Sequence, residues 1–124
     1  MNRKPKILMV DDEEEFLYFL KLNLEKTGKY QVCALTNPFE ALRLAQDYKP
    51  DLALLDIIMP QMDGAKLAEQ LKQMISTKDL PVIFLTALLN SEEEYINTRH
   101  EFIAKPVSTA VLMERIDRIL ANVH

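Results

Sequence analysis

The chain has 124 residues, 48% hydrophobic and 27% charged, with a formal net charge of −4. That composition fits a single domain over residues 1–124 with a real core, and the acidic balance speaks against a basic nucleic-acid-binding surface. No apolar run approaches a membrane span, and the run after Arg3, Lys4 and Lys6 is too short for a signal peptide. The lone Cys33 lies in an apolar run, has no partner for an internal disulfide, and is expected as a small buried hydrophobe. A reduced, cytoplasmic protein is the natural expectation.

Ile7-Leu8-Met9-Val10 is a short apolar run that ends in Asp11 and Asp12. A helix follows to about Thr27, with Phe16, Phe19, Leu20 and Leu24 at helical spacing and Gly28 as its stop. Glu13, Glu14 and Glu15 suit the positive end of its dipole. Tyr30 to Leu35 is the next strand. Asn37, Pro38 and Glu40 are a helix start: cap, proline at the first position, acid at the third. Ala41, Leu42, Ala45 and Tyr48 form its buried stripe.

Leu52 to Leu55 is almost wholly apolar, as a strand buried on both faces should be, and it ends on Asp56. Met59-Pro60 and Gly64 mark a turn. A third helix carries Leu67, Ala68, Leu71, Met74 and Ile75 on one face. Val82 to Leu85 is another apolar run, ending on Thr86. A weaker helix is expected from the capping box of Ser91 and Glu94. Phe102-Ile103-Ala104 is a last strand before Lys105-Pro106. The final helix starts near Ser108 and turns Leu112, Ile116, Ile119 and Leu120 inward.

Strands and helices thus alternate five times with short connections. That pattern implies an α/β domain with a parallel sheet and helices on both faces. All carboxyl ends of such a sheet point one way, and that edge is where ligands bind. Asp11, Asp12, Asp56, Thr86 and Lys105 all arrive there. Two carboxylates ~4 Å apart at an effective dielectric of about 20 repel by roughly 4 kcal/mol. Lys105 offsets part of that, and a hard divalent ion such as Mg²⁺ would offset more. A carboxylate beside Mg²⁺ and a lysine is a competent nucleophile toward phosphorus, with the Thr86 hydroxyl available to a phosphoryl oxygen.

Asp11-Asp12, Asp56 with Met59-Pro60 and Asp63-Gly64, Thr86-Ala87, and Lys105-Pro106 together resemble the receiver domain of two-component response regulators. The match spans nearly the whole chain in the right order. The resemblance implies a flavodoxin-like (CheY-like) doubly wound sheet of five parallel strands in the order 2-1-3-4-5, with five helices. It implies Asp56 as phosphoacceptor. It implies Mg²⁺, or Mn²⁺ in its place, on Asp12, Asp56 and the backbone carbonyl of Ile58, with Asp11 acting largely through water. Lys105 and Ala87 would meet the phosphoryl group, Thr86 would be the switch hydroxyl and Phe102 the switching aromatic. The Lys105–Pro106 bond would be cis. Phosphorylation would change a protein-interaction surface rather than support turnover on a substrate. The implied partners are a histidine kinase or histidine phosphotransfer protein and a downstream target or a missing output domain, with no nucleic acid or membrane contact.

Several positions depart from the family pattern. Ile58 and Leu88, two residues after Asp56 and Thr86, are aliphatic where polar groups can orient an attacking water. Slow loss of the phosphoryl group is the expectation. The interval from Thr86 to Lys105 is short, and Arg99-His100-Glu101 stands where a Gly-Ala pair is common. Leu17, Tyr18 and Leu22 lie partly off the inward stripe of the first helix, as scattered surface residues or as a docking patch for a phosphodonor helix. The rival readings are a phosphorylation-independent interaction module and an aspartate-nucleophile phosphohydrolase. The second would want an acid where Ile58 stands.

Overall fold

The computed structural model describes residues 3–87, 101–105 and 107–122. Its strands are β1 (Lys6–Val10), β2 (Gln31–Leu35), β3 (Leu52–Asp56), β4 (Val82–Thr86) and β5 (Glu101–Ala104). Its described helices are α1 (Glu14–Lys26), α2 (Pro38–Tyr48), α3 (Gly64–Lys72) and α4 (Thr109–Ala121). All strand pairs are parallel, in the order β2-β1-β3-β4-β5. The predicted architecture and strand order are therefore both present. Four helices fall among the described residues. The helix expected from Ser91, together with Leu88, Arg99 and His100, lies outside them, as does Pro106.

β3 and β4 are apolar up to their last residues, and β1 after Lys6, because they feed two cores. Ile7, Met9, Leu52, Leu54, Ile83 and Leu85 pack with Leu17, Leu20 and Leu24 of α1 and with Leu112 and Ile116 of α4. Their alternates Leu8, Val10, Ala53, Leu55, Val82 and Phe84 pack with Ala41 and Ala45 of α2 and with Leu67 and Leu71 of α3. Successive side chains of a strand face opposite sides, so a strand covered on both faces cannot alternate with polar residues.

Local signals set the helix boundaries. Asn37 accepts from Phe39 N at 2.8 Å, Asp63 from Lys66 N at 2.7 Å, and Ser108 from Val111 N at 3.1 Å. Each satisfies a first-turn donor that the helix itself cannot. A half-exposed tie joins the start of β2 to α4: Tyr30 Oη donates to Asp117 at 2.5 Å, and Lys29 Nζ reaches the same carboxylate at 2.6 Å.

Two expectations change. Phe19 does not face the sheet but is 59% exposed, while Leu17 takes the inward place at 4%. The inward stripe of α1 is Leu17, Leu20 and Leu24, and Phe19 sits about 130° from its centre at 100° per residue. The third helix stops at Lys72, not beyond Ile75. Thr77 Oγ1 donates to the Leu71 carbonyl at 2.5 Å, and the chain turns over that contact, leaving Ile75 90% exposed. Among the described residues no helix is long and apolar enough to cross a membrane.

Gly64 opens α3 because nothing larger fits. Its N–H donates to the Ile57 carbonyl at 2.7 Å. A Cβ there would lie 2.1 Å from the Asp56 carbonyl oxygen and 2.9 Å from its carbon. Backbone cannot yield as a side-chain end can, so Gly64→Ala is expected to destabilise the fold by about 2–4 kcal/mol in chemical denaturation. An unchanged denaturation midpoint would show that the loop shifts freely.

Candidate functional site: an acidic cleft holding one buried lysine

The parallel register brings the site together. Val10 pairs with Leu55 and Asp56 with Leu85, so the carboxyl ends of β1, β3 and β4 finish side by side. Asp11 follows β1 and is buried, held by its N–H to the Leu35 carbonyl at 3.2 Å. Asp12 beside it is exposed. Asp56 is the last residue of β3 and buried, and one carboxylate oxygen from each of Asp11, Asp12 and Asp56 lies within 4.8 Å of the others. Thr86 ends β4, buried, and pairs with Ala104. Lys105 follows β5, its N–H bound to the Thr86 carbonyl at 2.8 Å.

The Lys105 ammonium lies among these acids. Its Nζ is 2.6 Å from Asp11 Oδ2, 2.9 Å from Glu13 Oε1 and 3.6 Å from Asp56 Oδ1. It also sits 4.5 Å from the centroid of the Phe16 ring, a cation–π distance. Burial lowers the pKa of this ammonium, but its pairing with Asp11 and Glu13 outweighs burial and the net shift is upward. Asp11 is shifted upward, chiefly by burial, against the pull of Lys105. Its Oδ2 is buried and its contact with Lys105 is an ion pair without hydrogen-bond alignment. Asp56 is pushed up to about 7, by burial first and then by the Asp11 charge, with Lys105 opposing.

The other expected positions are less central. Ala87, just past Thr86, is exposed. The Ile58 side chain is 56% exposed in the loop after Asp56. Phe102 is half-buried and stacks on Phe84, centroids 5.3 Å apart at 25°. Two participants were missed by sequence reasoning. Glu13 is the residue before α1, not part of its first turn, and its carboxylate binds Lys105. Phe16 lies under the same ammonium. The signal for both was their place directly after the strand-end acids, at the same edge of the sheet.

Hard carboxylate donors and one lysine, gathered at the carboxyl edge of a 2-1-3-4-5 parallel sheet, define a signalling receiver of the CheY-like type. A family model described as the response regulator receiver domain matches residues 7–117, and the chain belongs to that family. It is 34% identical over 120 residues to protein PilH of Pseudomonas aeruginosa, covering 94% of this chain and 98% of that protein. It is 35% identical over 123 residues to the alkaline phosphatase synthesis transcriptional regulatory protein PhoP of Bacillus subtilis, covering 97% of this chain but 49% of that protein. Among solved structures, the signal receiver domain of a signal transduction histidine kinase from Syntrophus aciditrophicus superposes with a TM-score of 0.83 at 35% identity, covering 96% of this chain and 92% of that one. Receiver domains are phosphoacceptor switches of phosphorelay signalling, bind Mg²⁺ at an acidic site, and interact with histidine kinases and downstream effectors.

The raised Asp56 pKa has a stability consequence. Between its unfolded value near 4 and its folded value of about 7, the folded state holds a proton that the unfolded state has lost. Stability from this group is therefore greatest below pH 4 and falls as pH rises to 7. In metal-free protein, Asp56→Asn should raise stability at pH 8 by about 1–3 kcal/mol and by much less at pH 5. A difference independent of pH would contradict the cleft electrostatics.

Proposed function

We propose that this chain accepts a phosphoryl group on Asp56 and thereby switches a protein-interaction surface. A carboxylate oxygen of ionised Asp56 attacks phosphorus. The new O–P bond forms as the donor's P–N bond breaks, and the electron pair leaves with the imidazole of a phosphorylated histidine. With an acyl phosphate donor the pair leaves on a carboxylate. The reaction is the domain's own phosphorylation, not turnover on a substrate.

The donor set fits a hard divalent ion. Lys105 contributes one positive charge against the carboxylates of Asp11, Asp12 and Asp56, whose oxygens converge within 4.8 Å. Asp12, Asp56 and the Ile58 carbonyl would hold Mg²⁺ or Mn²⁺, with Asp11, already engaged by Lys105, acting through water. When bound, the ion supplies charge neutralisation to the phosphoryl oxygens. Lys105 pairs with a further phosphoryl oxygen, and the exposed Ala87 leaves room beside it. Thr86 moves its hydroxyl toward the phosphoryl group. Phe102, stacked on Phe84 in the neighbouring strand, turns inward as Thr86 vacates space. The surface that includes β5 then changes, and a downstream target or an output domain reads the change.

The observation that carries this reading is the meeting of Asp11, Asp12, Asp56 and Lys105 at one strand edge. Intact mass after incubation with acetyl phosphate tests it. The expected result is one added phosphoryl group that requires a divalent ion and is lost in Asp56→Asn. Because Ile58 offers no polar group to an attacking water, the adduct is expected to decay over minutes or longer. Decay within seconds would refute that part. No adduct on a folded, Mg²⁺-bound protein would favour the phosphorylation-independent module.

The phosphodonor is a histidine kinase or phosphotransfer protein. Tyr18, Phe19 and Leu22 are exposed on the outer face of α1, whose first turn borders the cleft. Tyr18 and Phe19 meet edge to face at 5.5 Å. The buried Leu17 is not part of this patch. As an apolar docking face it predicts that Tyr18→Glu slows transfer from a phosphohistidine donor about tenfold relative to transfer from acetyl phosphate. Equal slowing with both donors would remove the patch from the account.

A further inference from the structure

Glu13 occupies the N-cap of α1 in extended backbone, φ −87° and ψ 97°, yet its side chain makes no cap hydrogen bond. An N-cap side chain ordinarily accepts from the N–H groups of the first turn. This one turns instead to Lys105, with Nζ donating to Oε1 at 2.9 Å. Asp11 Oδ1 accepts the Glu13 N–H at 2.9 Å, so the aspartate that binds Lys105 also places the residue that shares it.

The ammonium has three N–H donors. Asp11 at 2.6 Å and Glu13 at 2.9 Å are within bonding distance, whereas Asp56 at 3.6 Å is beyond a hydrogen bond. With the Phe16 ring also beneath it at 4.5 Å, the charge is drawn to the α1 side of the cleft, off the acceptor. The lysine side chain is 9% exposed and the glutamate 63%, so Glu13 can release the ammonium without unburying anything.

Building on the reading of Asp56 as acceptor, we propose that Glu13 is a positioning residue that holds Lys105 on the α1 side and so sets how readily Lys105 reaches a phosphoryl group. Lys105 exchanges its bond to Glu13 for one to a phosphoryl oxygen, while Asp11 keeps hold throughout. Loss of the Glu13 charge makes that exchange easier.

The test is Glu13→Gln, followed by intact mass with acetyl phosphate and by binding of beryllofluoride, a phosphoryl mimic. A small-molecule donor keeps partner docking out of the measurement. The expected result is phosphorylation about two- to fivefold faster and beryllofluoride binding tighter by a similar factor, the range that an exposed ion pair supports. Glu14→Gln, which removes the same charge at the next, exposed position, should match wild type. In a Lys105→Ala background, Glu13→Gln should change beryllofluoride affinity no further. The inference is overturned if Glu13→Gln behaves as wild type, if Glu14→Gln has the same effect, or if the effect persists without Lys105. Wild type failing to take a phosphoryl group on Asp56 would instead overturn the functional reading on which the inference rests.

Discussion

The contact between Lys105 and Asp11, 2.6 Å long and buried, is the constraint on which the site depends. Among the described residues, Lys105 is the cation set against the converging carboxylates. With it Asp56 is still shifted up to about 7, by burial first and then by the Asp11 charge. Ionising this buried carboxylate is costly, and a ligand that carries positive charge would offset that cost. The sheet maintains this state because its twin apolar cores fix where each strand ends. The positions of Asp11, Asp56 and Lys105 follow from the register of β1, β3 and β5, not from local loop structure.

The same geometry connects the cleft to the surface. Thr86 and Lys105 are joined by a backbone hydrogen bond of 2.8 Å between the ends of β4 and β5. Phe84, two residues before Thr86, and Phe102, three before Lys105, pair in register and stack. A pull on Thr86 or Lys105 from the cleft therefore acts on two strands that share an aromatic contact at the sheet's edge. A packed pair of this kind has few discrete arrangements, so in the proposed switch small displacements at the cleft would convert into alternative states of the surface.

Much of this was legible in the sequence, for identifiable reasons. Val82 to Leu85 and Leu52 to Leu55 read as strands because burial on two faces leaves no place for polar residues. Asn37-Pro38 and Ser108 read as helix starts because their side chains do a local job. The order 2-1-3-4-5 came through the family resemblance, since alternation alone fits several orders. Where the reading went wrong, the deciding contact was distant or the local pattern was ambiguous. Phe19 and Leu17 both continue a helical stripe on α1, and only packing against the sheet selects Leu17. Met74 and Ile75 extend the pattern of α3, but the Thr77 hydroxyl ends the helix from outside it. Glu13 looked like one of three acids suited to a helix dipole, and its role emerged only with Lys105, 92 residues away.

The cleft makes ionisation of Asp56 costly, and a cationic ligand would lower that cost. Carboxyl ¹³C NMR of Asp56 across pH in metal-free protein measures this most directly. A midpoint of about 7, falling when Mg²⁺ is added, is the predicted result. A midpoint near 4, the value of an ordinary aspartate, would mean that the cleft leaves Asp56 unperturbed.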